Sequence, residues 1–184
     1  MSIWPVQYSR DDLAAFKDPK RIDNHYGLPM KDVYSISLRP SDGRSNVHDA
    51  TYRSAYFGNA VAYRDIKIRY PNAWIWDERY RFEGAPKDAD MHRMQQLFEE
   101  KMGSVAMAQV CERAKEAQLN PGGKTAGRPD LAVYVPGDPR PWRFVEIKRL
   151  GWDDVRPNQR MWLELLGSYF GDGSAIVMEL SMAD

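Results

Sequence analysis

Two short β-rich runs around a proline–glycine turn constrain this chain more than any other stretch. Leu131-Ala132-Val133-Tyr134-Val135 is the first and Trp142-Arg143-Phe144-Val145-Glu146-Ile147-Lys148 the second. Pro136-Gly137-Asp138-Pro139-Arg140-Pro141 separates them. Runs of this composition on either side of such a turn predict an antiparallel hairpin. Side chains alternate along a strand, so Glu146 and Lys148 share one face while Val145 and Ile147 point to the other. Asp130 stands at the mouth of the first strand, where it can approach Glu146.

Two acids and a lysine at one end of an apolar sheet suit metal-assisted phosphodiester cleavage. A hard cation such as Mg²⁺ binds through one or two carboxylates together with phosphate and water. It acidifies bound water and offsets the charge that builds on the phosphate. A lysine beside the nucleophile can orient or deprotonate that water, or stabilise the pentavalent phosphate. An isolated Glu-x-Lys on a strand is more often a surface ion pair, and the surrounding stretch is what raises its weight here.

That stretch runs from Gly127-Arg128-Pro129-Asp130 through Glu146-Ile147-Lys148 to Asp153-Asp154-Val155-Arg156-Pro157-Asn158-Gln159-Arg160-Met161-Trp162-Leu163. The ordered set resembles the PD-(D/E)XK nuclease superfamily and, within it, the VRR-NUC branch. The resemblance implies an α+β fold, an α/β sandwich in which a mixed sheet is flanked by helices, and a DNA endonuclease dependent on Mg²⁺ or Mn²⁺. It implies Asp130, Glu146 and the Ile147 carbonyl as metal ligands, Lys148 as the catalytic lysine and Gln159 as the helix residue facing the site. The family also expects a glutamate on the helix before the sheet. Glu99 and Glu100 are the candidates, with Glu112 a more distant third. Glu100 is preferred because it follows Leu97 by three residues and can face the sheet beside the apolar stripe. One departure concerns topology: Asn120–Pro129 leaves little room for the strand this superfamily places before its aspartate strand. Either that strand is very short or one from residues 60–82 takes its place.

Lys and Arg total 26, as do Asp and Glu, so bulk charge gives no pull toward nucleic acid. Attraction to phosphate must be local. Residues 140–160 hold six Lys/Arg against three acids, and Arg149, Arg156 and Arg160 are the candidates for a phosphate-positioning surface, a solvated loop and helix face being the alternative. The single cysteine, Cys111, excludes an internal disulfide framework and reads as a small buried hydrophobe. His25, His48 and His92 lack ligand spacing. Gly122-Gly123-Lys124-Thr125 imitates the end of a phosphate-binding loop, but Gln118 stands where its first glycine belongs and a helix, not a strand, precedes it. With neither a long apolar run nor a basic, apolar leader, cytoplasmic synthesis is expected, and delivery by a signal-free route remains compatible with it.

The two expected parts are an aromatic-rich N-terminal elaboration packed on the core (1–87) and a nuclease core (88–184). In the first, a helix is expected from Ser9, a strand over Val33–Leu38, a helix interrupted by Gly58 within 49–63, and strands over 62–70 and from Ala73. Tyr63, Arg64, Lys67, Arg69, Tyr70, Trp74 and Trp76 read either as a nucleic-acid platform or as aromatic core with a solvated face. The second weighs more, since aromatics dominate cores. In the second part, one long helix is expected over Asp88–Leu119, then the hairpin, a helix opened by Pro157, and a closing strand over 174–180.

A second class of function is a non-catalytic nucleic-acid- or protein-binding module on the same scaffold. For an active enzyme the expected partner is DNA, and a homodimer is compatible. The biological role stays open between repair, phage biology, restriction and an antibacterial toxin held off by an immunity protein.

Overall fold

The computed structural model describes residues 1–17, 22–23, 28–29, 57–76, 80–84, 89–121 and 127–183. Five strands form one mixed sheet in the order β1-β7-β6-β5-β4. They are β1 (Ser2–Tyr8), β4 (Trp74–Trp76), β5 (Leu131–Tyr134), β6 (Trp142–Arg149) and β7 (Ala175–Met182). β2 (Ile22–Asp23) and β3 (Leu28–Pro29) pair separately. The helices are α1 (Arg10–Lys17), α2 (Phe57–Arg69), α3 (Ala89–Met102), α4 (Ser104–Glu116) and α5 (Pro157–Phe170). β6 runs parallel to β7 and β7 to β1, while β5 is antiparallel to both β6 and β4. This is the α+β arrangement expected.

Strand alternation divides the core. Val133, Val145, Ile176, Met178 and Leu180 face α2, whose Phe57, Ala60, Val61, Tyr63 and Ile66 pack among them. On the other face Trp76, Ala132, Trp142 and Phe144 meet Phe98 of α3, Val110 of α4, and Trp162 and Leu166 of α5. β1 lies at an edge, the place in a sheet where a proline such as Pro5 is tolerated. β4 stands beside β5 and fills the place of the missing core strand from within residues 60–82.

Three expectations change. Residues 62–69 form part of helix α2 instead of a strand: their buried positions step by three and four, Ile68 is exposed, and Asp65 pairs with Arg69 at 2.9 Å across one turn. Gly58 lies inside that helix without breaking it, and a Cβ there would sit 3.3 Å from Ile147 Cγ2. The long helix over 88–119 is two helices, because Gly103 adopts a φ of 83° between them. The N-terminal aromatics belong to the core, the weightier of their two readings. Tyr63 and Trp76 are buried, Arg64 pairs with Asp12, and Lys67 donates to the Ala73 carbonyl at 2.6 Å. The strand over Val33–Leu38, His25, His48 and residues 122–126 lie outside the described residues. Among those described, no helix is long and apolar enough to cross a membrane.

Candidate active site

The hairpin register sets the geometry. Leu131 pairs with Val145, so the preceding Asp130 falls opposite Glu146, on the same face. Asp130 Oδ2 accepts the Ile147 backbone N–H at 2.8 Å, which ties the aspartate to β6 at the position flanked by Glu146 and Lys148. Lys148 Nζ lies 2.9 Å from Glu146 Oε1, its side chain 11% exposed and that of Glu146 1%. Gln159 completes the group from the first turn of α5. Its Oε1 accepts the Arg156 backbone N–H at 2.9 Å, and its Nε2 donates to Glu146 Oε1. An oxygen must receive that N–H, so the amide can only turn its nitrogen toward the carboxylate.

The two oxygens of Glu146 therefore differ. Oε1 is satisfied twice, by Lys148 and Gln159, whereas Oε2 is buried with no hydrogen-bond partner. Burial, and next the Asp130 carboxylate, push the acid up to about 8 despite the opposing Lys148. A buried acceptor left open beside a second carboxylate fits a hard divalent cation. Mg²⁺ and Mn²⁺ take oxygen donors and need only one or two carboxylates when phosphate and water supply the rest. Two carboxylates and the Ile147 carbonyl match that donor chemistry. Among the described residues no group of three or more His, Cys, Asp or Glu is gathered to hold a metal.

The other candidates make different contacts. Glu100 is on α3, 65% exposed at its side chain and paired with Lys101 at 3.2 Å. Its neighbour Glu99 accepts from Gln95 at 2.8 Å, and Glu112 is exposed on α4. Arg149, Arg156 and Arg160 are all exposed along the segment that leads from β6 into α5.

Further residues that hold the site went unread in the sequence. Tyr80, buried, donates its hydroxyl to the Pro129 carbonyl at 3.0 Å, fixing the backbone just before Asp130. Burial holds its phenol well above the usual range, so it remains a donor. The Arg128 guanidinium lies over the same ring and donates to the Pro121 carbonyl at 2.9 Å. Nothing local to Asp130 announces Tyr80, which stands 49 residues before Pro129. Gly127 was visible as part of Gly-x-Pro-Asp, but its reason is spatial. With φ of 69°, a Cβ there would lie 2.4 Å from Asn158 Nδ2. The segment that leads into Asp130 and the helix that delivers Gln159 approach closely at this point.

The VRR-NUC domain family matches residues 73–178. That span begins just before β4 and contains Asp130, Glu146, Lys148 and Gln159. No curated protein matches the chain. Two crystal structures of paFAN1, bound to gapped DNA with a 2-nucleotide or a 1-nucleotide 5′ flap, align at 15% identity with TM-scores of 0.44 and 0.42. Each alignment covers 100% of this chain and 38% of the other.

Proposed function

The chain belongs to the VRR-NUC nuclease domain family of the PD-(D/E)XK superfamily, and from that premise we propose that it is a divalent-metal-dependent endonuclease hydrolysing DNA phosphodiester bonds. The observation that carries the reading is the Glu146 carboxylate, buried and open at Oε2, with Asp130 opposite and Lys148 against Oε1. A scaffold used only for binding has no need to keep a buried acid in that state.

Asp130, Glu146 and the Ile147 carbonyl would hold Mg²⁺ or Mn²⁺. When bound, such an ion supplies a Lewis acid that acidifies water and offsets charge on the phosphoryl oxygens. Lys148, held on Glu146, presents its ammonium to the attacking water or to a phosphate oxygen, where it stabilises charge as the new P–O bond forms and the ester P–O bond breaks. Gln159 restrains Glu146 from behind. Tyr80 and the Gly127–Asn158 contact keep Asp130 and α5 in register. Arg149, Arg156 and Arg160 supply cations for flanking phosphates. Glu100 enters this scheme only as the acid on the preceding helix, and its exposure makes it the weakest member. A toxin role draws no support from the family match.

The test is cleavage of supercoiled plasmid with Mg²⁺ or Mn²⁺. Asp130→Ala and Glu146→Ala are expected to abolish it, and Lys148→Ala to slow it about 100-fold, with near-native circular dichroism in each. EDTA is expected to stop the reaction. Full activity of Glu146→Ala would overturn the mechanism. Calorimetric titration with Mn²⁺ separates the enzyme from the binding module, which would take up no metal at this site.

A further inference from the structure

Lys148 has a second carboxylate beside it, on the strand opposite to the one that Asp130 precedes. β6 and β7 run in parallel, with Glu146 paired to Val177 and Lys148 to Glu179. On the outer side of β7, Glu179 pairs with Pro5 of β1. Residues in register on neighbouring strands put their side chains on one face, about 5 Å apart. Burial identifies that face. Ala175 and Val177 close on Leu163 of α5, whereas Ile176, Met178 and Leu180 turn toward α2. Glu179 therefore follows Val177 on the α5 side, the face that carries Glu146, Lys148 and Gln159.

The charges on that face do not balance. Asp130, Glu146 and Glu179 step across β5, β6 and β7, and Lys148 is the one cation those strands place among them. Glu179 is half-buried, and among the described residues its carboxylate engages no hydrogen bond or ion pair. Pro5, its neighbour on β1, offers no donor, so the cross-strand partner able to meet it is Lys148. An ammonium carries three N–H donors. Glu146 Oε1 receives one and is already shared with Gln159 Nε2. A divalent cation held by Glu146 and Asp130 would repel the ammonium and loosen the hold of Glu146 on it. Asp130 lies on the β5 side, which leaves the β7 side, where Glu179 stands in register.

We propose that Glu179 is the positioning residue of the catalytic lysine. Its carboxylate accepts a second N–H of Lys148 from the β7 side and keeps the ammonium aimed at the reacting phosphate or water while Glu146 serves the metal. Glu179 itself touches neither metal nor substrate. The inference deepens the nuclease reading and rests on it.

The test combines kinetics with a structural measurement. Plasmid cleavage is followed at saturating Mn²⁺ over a range of DNA concentrations. Glu179→Gln is expected to lower kcat about tenfold with KM, Mn²⁺ affinity by calorimetry and thermal midpoint all unchanged. Glu179→Asp, which keeps the charge, is expected to recover part of the loss. Lys148→Ala combined with Glu179→Gln should cut no more slowly than Lys148→Ala alone, because the acid acts through the lysine. Losses that multiply in the double variant overturn the proposal. So does a weaker Mn²⁺ affinity, which would make Glu179 a metal ligand, or a kcat that stays level or rises, which would leave it a bystander or a charge that repels DNA. A thermal midpoint that falls along with kcat would make the residue structural and likewise overturns it. In crystals of wild type grown with Ca²⁺, Lys148 Nζ is expected within hydrogen-bond distance of the Glu179 carboxylate, and an Nζ that stays on Glu146 alone overturns the assignment. Failure of the nuclease reading looks different: Nζ would meet Glu179 in the crystal while wild type cut no plasmid with Mn²⁺.

Discussion

At the scale of single residues, Glu146 carries the largest consequence. Its folded form holds a proton up to about pH 8, against 4.5 for the free side chain. Between those values the folded state binds more protons than the unfolded chain, so stability of the metal-free protein falls as pH rises through that window. Glu146→Gln carries no such proton. In EDTA, melting temperatures of wild type are expected to decline from pH 5 to pH 8 relative to Glu146→Gln, and Mn²⁺ should offset the decline in wild type alone. Parallel pH profiles for the two proteins would remove the premise that this acid is strained by burial. Gln159 acts through Glu146, and its replacement by alanine frees the carboxylate to turn. A loss of about tenfold in Mn²⁺ affinity is expected by calorimetry. Tyr80→Phe leaves the buried Pro129 carbonyl without its donor and is expected to cost about 1–3 kcal/mol in urea unfolding.

Among elements, the contact between Gly127 and α5 decides whether the two halves of the site meet. Gly127→Ala adds a methyl 2.4 Å from Asn158 Nδ2 at a φ of 69°. The expected cost is about 1–3 kcal/mol of stability, from crowding together with the left-handed backbone. Asn158→Gly on the same background should restore only the crowding part, since the backbone penalty stays. A Gly127→Ala protein as stable as wild type would mean the two elements are not locked here. The same distinction explains which elements were legible in the sequence. The hairpin, Asp130 opposite Glu146, and Gln159 on a helix opened by Pro157 depend on alternation, turn chemistry and short spacing, all local. Helix α2 was hidden because Ile66, Ile68 and Tyr70 alternate by chance, while Gly58, a helix weakener in isolation, is kept for its close approach to Ile147. Gly103 lies inside the run expected as one helix, and only its positive φ marks the boundary between α3 and α4. β1 and Tyr80 act on partners far along the chain, beyond the reach of any local pattern.

For the whole molecule, the question is how much chain the site needs in order to exist. The family match starts at residue 73, yet the sheet's second face is covered from before it. Val145, Ile176, Met178 and Leu180 bury themselves against α2, and β7 is closed on its outer side by β1. β4, also ahead of residue 88, supplies Trp76 to the opposite cluster and pairs with the strand that follows Asp130. α1 is tied to α2 by the Asp12–Arg64 ion pair, with Ser9 and Asp12 capping each other's N–H groups at 3.0 and 2.7 Å. A chain beginning at residue 88 would expose one complete face of the sheet and two strand edges, both routes to aggregation. That fragment is expected to lack a cooperative thermal transition, bind no Mn²⁺ with measurable heat and cut no plasmid. A chain lacking only residues 1–9 should fold but aggregate at lower temperature, because β7 loses its neighbour while α2 still covers the apolar face. If residues 88–184 alone melted cooperatively near the full-length midpoint, the N-terminal half would be an addition to a self-sufficient core, and the reading that the site depends on both faces of the sheet being covered would fail.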